Sequence, residues 1–473
     1  MLKKLIKFSA SYTVIDGLQR GVLFLMLPIF THYMTTKEYG IVSTALILIS
    51  FLTVLFSFAL HAAISRYYFK YEDKPDELKK FLGSNFLFLT LFSVSISIIL
   101  ILFGEFIFKW LFEEIDFNPY IIYTLVIVST QVIIVAYFSL LKAMQKLKLY
   151  IIVFNGYFAT QLLLMSILII AYDLKQDGYL LGVLISNVLF VSIIFILLRK
   201  EIIFKIDMKY IKESLNYSLP IVPVEIIGNV NRLIDRYYIL LFIGLGGVGI
   251  YYVGVQIAGL INLIALAINS AYTPIFFKKY ENNKDDNYND IYNLTDIIVF
   301  TIGGIATMAI IISPLLLHLF DDAYHEGANI ILYLGFTGAI TSVYFVNTNV
   351  LSLEPKLIKL KTIGIVFGTI VNVVLGYFFT KYYGIEGAAI STLIGFAVTT
   401  IILISIVHKN TNFRFNNKKY IFYLGILFFI LLEIKDIVLL EQILIMIIVI
   451  GILFIINFKF KKGKFDDNIR NKV

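Results

Sequence analysis

Stretches of about 20 predominantly apolar residues recur along the whole chain, and a helix of that length crosses a hydrocarbon core of roughly 30 Å. Hydrophobic residues occupy 59% of the 473 positions, whereas a soluble domain would have roughly 45–50%. The sequence therefore predicts an all-α polytopic membrane protein. The predicted spans are 8–31, 41–65, 81–103, 120–141, 149–172, 179–198, 215–243, 249–274, 291–317, 327–351, 362–380, 386–407, 420–434 and 440–457.

The basic residues give this map an orientation, because cytoplasmic loops carry an excess of lysine and arginine. With the N-terminus inside, 32 of the 40 lysines and arginines fall in cytoplasmic segments and five in outer loops. The remaining three, Arg20, Arg232 and Arg236, lie within spans. Fourteen spans with this asymmetry predict that both termini are cytoplasmic.

An internal repeat is visible at an offset of 209 residues. Gly40-Ile41 falls on Gly249-Ile250, and Lys70-Tyr71-Glu72 falls on Lys279-Tyr280-Glu281. The same offset aligns span boundaries from the second span to the twelfth. Six spans per unit give both units the same orientation, as in transporters with parallel repeats. We therefore expect six-helix lobes at 1–200 and 201–410, followed by two extra transmembrane helices and a basic cytoplasmic tail over 411–473.

The seventh span carries a polar stripe. Glu225, Asn229, Arg232, Asp235 and Arg236 fall within roughly 120° of one another on an ideal helix. Charges at membrane depth usually face a protein-lined cavity. Guanidinium groups bind phosphate bidentately and stay charged, so the two arginines and the asparagine are candidate contacts for an anionic substrate. Asp235 either takes part in coupling or holds an arginine in place.

Spans one and two add further candidates. Arg20 lies deep in span one, and Asp16 stands one helical turn before it, so the two either line a cavity or form a structural ion pair, with each other or with span seven. Arg66 ends span two, as a substrate contact or as an ordinary cytoplasmic anchor. His61 is a lone histidine on the polar face of span two and a candidate for proton handling.

The repeat pairs Asp16 with Glu225, so the first span of each lobe has an acid at an equivalent depth. Spans one and seven together hold three arginines and three acids, which sum to zero when all are ionised. Protonation of Asp16 or Glu225 would leave a net charge of +1. The sequence thus motivates the hypothesis that proton binding favours an anionic substrate.

Several kinds of chemistry lack a signal. The chain has no cysteine, which excludes disulfides and thiolate chemistry. No phosphate-binding glycine loop, metal-ligand spacing or catalytic triad is present, and no outer loop is long enough for a catalytic domain. We therefore predict no catalytic residue, no cofactor and no bound metal. The net charge of +8 reflects membrane topology and lipid contact rather than binding of nucleic acid.

The sequence resembles one transporter family at several places. The segments are Leu215-Asn216-Tyr217-Ser218-Leu219-Pro220, Asp235-Arg236-Tyr237-Tyr238-Ile239, Gly247-Val248-Gly249-Ile250-Tyr251 and Ser65-Arg66-Tyr67-Tyr68-Phe69. They resemble bacterial polysaccharide flippases, the O-antigen and capsule repeat-unit translocases. These belong to the multidrug/oligosaccharidyl-lipid/polysaccharide exporter (MOP) superfamily.

The resemblance implies a function that the residues alone do not reach. It implies a flippase of the bacterial inner membrane that moves an undecaprenyl-pyrophosphate-linked oligosaccharide from the inner to the outer leaflet by alternating access. The glycan would pass through a cationic central cavity. Membrane lipids and polysaccharide assembly proteins would be further partners.

Two alternatives remain open at this point. A cation-coupled multidrug exporter of the same superfamily would favour acids and aromatics in its pocket, whereas this chain has three arginines within spans. A membrane glycan polymerase or ligase would typically present a substantial outer loop, which is missing here.

Overall fold

The structure is a computed structural model that describes residues 2–281, 288–434 and 439–451. Side chains of 2–14 and of Asp16 are outside the description, as is the basic tail from residue 452 onward. The regular structure in these ranges is helical, which confirms the predicted all-α class. By contacts between residues the chain forms two compact units, Met1–Tyr252 and Val253–Val473.

The first unit contains ten helices and the start of an eleventh. They are α1 (Leu2–His32), α2 (Thr36–Ser57), α3 (Leu60–Tyr71), α4 (Pro75–Phe103), α5 (Glu105–Leu111), α6 (Ile122–Ala143), α7 (Leu147–Ser166), α8 (Lys175–Leu198), α9 (Met208–Ser218), α10 (Val222–Phe242) and α11 (Leu245–Glu281). Short π-helical segments extend α6 at its start (Phe117–Ile121) and α7 at its end (Ile167–Ala171).

The second unit continues from within α11. Its other helices are α12 (Asn289–Leu317), α13 (Ala328–Leu351, preceded by a 3-10 turn at Asp322–Gly327), α14 (Pro355–Asn410), α15 (Asn417–Ile434) and α16 (Leu439–Gly451). The 56-residue α14 is two helices joined at Gly384, whose φ of 63° breaks the helical geometry.

Nine helices in the described ranges are long and apolar enough to cross a membrane. This confirms a multi-pass membrane protein. The helices at the predicted first and seventh spans, α1 and α10, are not among the nine, and α15 and the shorter α16 are not either. The number fourteen therefore stays a prediction.

Span two, predicted as continuous over 41–65, is interrupted. Phe58 and Ala59 adopt left-handed backbone conformations, with φ of 48° and 54°, which residues other than glycine rarely adopt. The Ser57 hydroxyl supports the break, because it accepts a hydrogen bond from the Ala59 backbone N–H at 3.3 Å. The chain restarts as α3, which carries His61.

The helix is interrupted near Pro220 and Pro223. α9 ends at Ser218, and α10 begins at Val222 with a proline in its first turn. Proline suits that position, because its missing N–H would have no partner there. The amphipathic α9 packs on α3 and α4, and α10 packs on α2, so both helices belong to the first compact unit.

Two glycines allow α2 and the start of α11 to approach closely. Gly40 lies against the backbone carbonyl of Leu245, and Gly249 lies against the backbone carbonyl of Thr36. There is no room for a Cβ atom at either glycine. The contact is reciprocal under the 209-residue offset, since Thr36 corresponds to Leu245 and Gly40 to Gly249.

Helices α9 and α15 also begin 209 residues apart, at Met208 and Asn417. Each is packed on the long helix that starts near the same repeat position, α9 on α4 and α15 on α12. In the second unit, Asp296 of α12 accepts a hydrogen bond from Tyr420 at 2.6 Å and pairs with Lys419 at 3.2 Å. The repeat equivalent of Asp296 is Leu87, so this attachment of α15 has no counterpart in the first unit.

Candidate substrate-binding site

The polar stripe of α10 faces the polar face of α2. The Arg236 Nε donates to Ser43 Oγ at 3.2 Å, and Ser50 Oγ donates to Asn229 Oδ1 at 2.8 Å. Seven residues separate the two contacts on each helix, and the order is reversed. The two helices therefore run antiparallel with their polar residues in register.

Asn229 connects the members of the stripe. Its Nδ2 donates to the Glu225 backbone carbonyl at 3.0 Å, and its Oδ1 accepts from Arg232 Nη2 at 3.2 Å. The amide holds the Arg232 guanidinium without neutralising it. This geometry presents a positive charge that remains available to an anion.

Arg20 and Arg232 form the exposed cationic part of the site. Both side chains are exposed, and Arg20 lies close enough to Arg232 for the two charges to repel each other. In the part of the chain whose side chains are described, neither arginine has a carboxylate within ion-pair distance. Two like charges that act on each other in this way favour a bound anion.

Arg236 has different surroundings. It is only 4% exposed, its Nη1 donates to the Arg232 backbone carbonyl at 2.8 Å, and its guanidinium lies over the Tyr252 ring at 5.6 Å. Asp235 is also buried and accepts a hydrogen bond from the Tyr251 hydroxyl at 3.2 Å. In this conformation both residues support the packing of α10.

Glu225 lies against His61. The distance from His61 Nε2 to Glu225 Oε1 is 3.3 Å, and each side chain is about one-quarter exposed. The structure thus joins two residues that the sequence placed on separate spans as unconnected candidates. The predicted pairing of Glu225 with Asp16 stays a prediction, because the Asp16 side chain is outside the described residues.

Arg66 lies in the middle of α3 with its guanidinium over the Tyr217 ring, 5.3 Å from the ring centre. Close by, Lys70 forms an ion pair with Glu213 of α9, and the Tyr71 hydroxyl donates to the other oxygen of that carboxylate at 2.5 Å. Burial acts to raise the pKa of Glu213, but the hydrogen bonds from Lys70 and Tyr71 outweigh it and lower the pKa. This clamp fixes α9, and thereby the start of α10, to α3.

Some of these contacts have only a weak signal in the sequence. Ser43 and Ser50 are the partners of α10, but small hydroxyl residues are common wherever membrane helices pack. Asp296 has a clearer signal, because it is a charge within the apolar ninth span. The clamp at Glu213 had no such signal, because acids and lysines are ordinary at a cytoplasmic membrane surface.

Two other features do not contribute to an ionic site. An apolar groove runs along α8 and is suited to hydrocarbon; it is lined by Leu184, Ile185, Val188, Leu189, Ser192, Ile193 and Ile196. Within the described ranges, no group of three or more His, Asp or Glu side chains could hold a metal ion.

The family of the protein follows from its sequence. A family model described as polysaccharide biosynthesis protein matches residues 5–280, which is more than half of the chain. The chain belongs to this family. None of the curated proteins matches the sequence.

Solved structures define the fold of this family member. The lipid II flippase MurJ in an inward closed conformation matches with a TM-score of 0.64 and 18% identity, covering 93% of this chain and 99% of its own. An inward-facing multidrug resistance MATE transporter of the MOP superfamily matches with a TM-score of 0.63 and 15% identity, covering 83% of this chain and 99% of its own. A MOP superfamily transporter from Pyrococcus furiosus matches with a TM-score of 0.53 and 16% identity, covering 85% of this chain and 95% of its own. The predicted superfamily fold is therefore confirmed, and the expectation of a non-enzyme agrees with neighbours that are transporters and a flippase.

Proposed function

We propose that this protein is a flippase for a lipid-linked oligosaccharide in surface polysaccharide biosynthesis, such as an O-antigen or capsule repeat unit. The observation that carries the proposal is the pair of exposed arginines, Arg20 and Arg232, which repel each other and lack a carboxylate partner among the described side chains. A pyrophosphate is a dense anion with oxygens on both phosphates. It can accept bidentate hydrogen bonds from both guanidinium groups.

The family match supports the polysaccharide part of the proposal. The fold shared with a lipid II flippase supports movement of a lipid-linked glycan rather than of a small soluble solute. In the proposed cycle, Arg20 and Arg232 bind the pyrophosphate of an undecaprenyl-linked substrate at the inner leaflet of the bacterial inner membrane. Asn229 orients Arg232 during binding, and alternating access releases the substrate at the outer leaflet. Polysaccharide assembly proteins would receive it there.

A multidrug exporter is the second candidate, because MATE transporters have the same fold. Drugs exported by cation-coupled transporters of this kind are commonly cationic, and exposed arginines would repel them. A glycan polymerase or ligase is disfavoured, because the described segments that are predicted to be outside are short and hold only brief helical pieces, of which α5 has seven residues.

Deletion of the gene tests the biological role. We expect lipid-linked repeat units to accumulate on the cytoplasmic leaflet and surface glycan to be lost. Normal surface glycan without a trapped intermediate would exclude the proposed role. Complementation with the unchanged gene must restore export.

Substitution of Arg232 tests the site itself. In the deletion strain, Arg232→Ala should fail to restore surface glycan. Arg232→Lys should restore part of it, since lysine retains the charge without the bidentate geometry. Arg20→Ala should behave like Arg232→Ala. Arg199→Ala is the matched control, because that arginine ends α8 outside the site. Full export by all three site variants would show that these arginines do not bind the substrate.

A further inference from the structure

We propose that His61 and Glu225 together bind one proton, and that this proton sets the affinity of the neighbouring arginines for an anion. The inference rests on the proposed anion-binding function and adds the group that regulates it. His61 Nε2 and Glu225 Oε1 are 3.3 Å apart on two different helices. Glu225 lies on the same polar stripe as Arg232, two helical turns away.

The hydrogen bonding of His61 indicates which protonation state this conformation holds. Nε2 faces the carboxylate, so it carries the hydrogen that is donated to Glu225. Nδ1 is buried and has no hydrogen-bond partner in the described structure. A lone pair in such a place is tolerated better than a buried N–H. In this arrangement a neutral His61 faces an ionised Glu225, and the pair has a net charge of −1.

Uptake of one proton changes that charge to zero, whichever of the two side chains carries it. The site around Arg232 then becomes more positive by one unit. Histidine is the side chain whose ordinary titration falls between about pH 5 and pH 8. The pair is also about one-quarter exposed, so water can deliver the proton.

Several of the other ionisable groups near α3 have partners of their own. The helices packed against α3 are α4, α6 and α9. Their ionisable side chains are Asp76, Glu77, Lys79 and Lys80 on α4, Tyr123, Tyr137 and Lys142 on α6, and Lys209, Tyr210, Lys212, Glu213 and Tyr217 on α9. Lys142 lies over Tyr150, Glu213 binds Lys70 and Tyr71, and Tyr217 lies beside Arg66. Among the described residues, Glu225 is the charged group that acts on His61.

The charge of Glu225 acts on the site of Arg232 through space, along one face of α10. Asn229 binds the Glu225 backbone carbonyl and the Arg232 guanidinium at the same time. Seven residues along a helix correspond to roughly 10 Å. One unit of charge at that distance changes anion affinity by about twofold if water screens it fully, and by about fifteenfold at an effective dielectric constant of 20.

The test measures binding of farnesyl pyrophosphate to the full chain in detergent, by calorimetry at pH 6 and pH 8. The probe also titrates, so each variant is compared with the native chain at the same pH. The native protein should gain affinity at pH 6, by about two- to fifteenfold more than His61→Gln does. Glu225→Gln should bind tightly at both values, because its charge is removed permanently. His61→Gln should bind weakly at both.

The opposite directions of the two variants separate titration from structure. Loss of a merely structural contact would weaken binding in both variants alike. His408→Gln, an exposed histidine at the end of α14, should keep the native pH response.

If His61→Gln keeps the native response, or if both variants shift the affinity in the same direction, the inference is overturned and the flippase proposal stands. If the native chain binds no farnesyl pyrophosphate at either pH, the proposed anion-binding function fails, and this inference fails with it.

Discussion

Ser50 of α2 donates a hydrogen bond to Asn229 of α10 at 2.8 Å. The same amide oxygen accepts from Arg232, so a serine on one helix fixes the asparagine that orients an arginine on another. A small hydroxyl that looks like ordinary helix-packing glue is thus part of the support for the cationic site.

Binding of an anion should therefore depend on both the charge and the shape of the side chain at Asn229. We expect Asn229→Ala to weaken binding of farnesyl pyrophosphate about fivefold, which corresponds to loss of one hydrogen bond of about 1 kcal/mol. Asn229→Asp should weaken it more, because the new carboxylate neutralises Arg232. Calorimetry on the purified chain measures both effects. Tighter binding by the aspartate variant would contradict the role assigned to Asn229.

Arg236 should contribute to stability rather than to binding. Arg236→Met removes hydrogen bonds to Ser43 and to a backbone carbonyl, and we expect a loss of about 1–3 kcal/mol in unfolding free energy. Ser43→Ala should lose about 1 kcal/mol. Thermal unfolding in detergent gives the ranking. A large fall in probe affinity with unchanged stability would instead place Arg236 among the substrate contacts.

The clamp at Glu213 predicts a particular pH dependence. The pKa of Glu213 is lowered on folding, because the hydrogen bonds from Lys70 and Tyr71 outweigh burial. These contacts of Glu213 should therefore contribute fully to the free energy of unfolding above 4.5, the ordinary pKa of a glutamate. Their contribution should be lost as the pH falls through the lower pKa that Glu213 has in the folded chain. The pKa of Lys70 is raised by its hydrogen bond to Glu213, so the contribution is present below 10.5 and is lost at higher pH.

The size of that effect is small, since Lys70 is more than half exposed. We expect the ion pair to contribute about 0.5–1 kcal/mol to the free energy of unfolding. Unfolding of the native chain and of Glu213→Gln, measured from pH 3 to pH 8, should converge at the acidic end. A constant difference over that range would show that the carboxylate charge is not what matters.

The attachment of α15 can be tested by comparing a single variant with a triple variant. Asp296→Leu alone leaves Lys419 and the Tyr420 hydroxyl without their acceptor and should cost about 3–5 kcal/mol. Replacing all three residues, with Lys419→Met and Tyr420→Phe added, should recover most of the loss, because no buried polar group is then left unpaired. Protease resistance and thermal unfolding report the difference. Equal instability of the single and triple variants would argue against the ion pair.

The absence of cysteine makes the topology directly measurable. A single cysteine at Lys109 should react with a membrane-impermeant maleimide in intact cells, because this position is predicted to be outside. A single cysteine at Lys205 should react after lysis only. The reverse pattern would invert the orientation derived from the basic residues.

Sequence periodicity and the repeat predicted most helices and the stripe on α10, because apolar run length and helical spacing are local properties. They did not predict the interruption at Phe58 and Ala59, since neither residue is a usual helix breaker. Nor did they pair His61 with Glu225, because that contact depends on how α3 is turned after the interruption. Arg232 and Arg236 looked equivalent on a helical projection. Packing against α2 and Tyr252 buries the second and leaves the first exposed.

The reciprocal contact of Gly40 and Gly249 has the form of an isologous interface, in which one surface element meets its own copy. A protein with a single copy of that element could make the same contact with a second, identical chain. A gene duplication that joined two such chains would retain the same helix contact, so no new interface would have to evolve. The two glycines thus make a backbone contact that has the symmetry of a homodimer interface within a single chain.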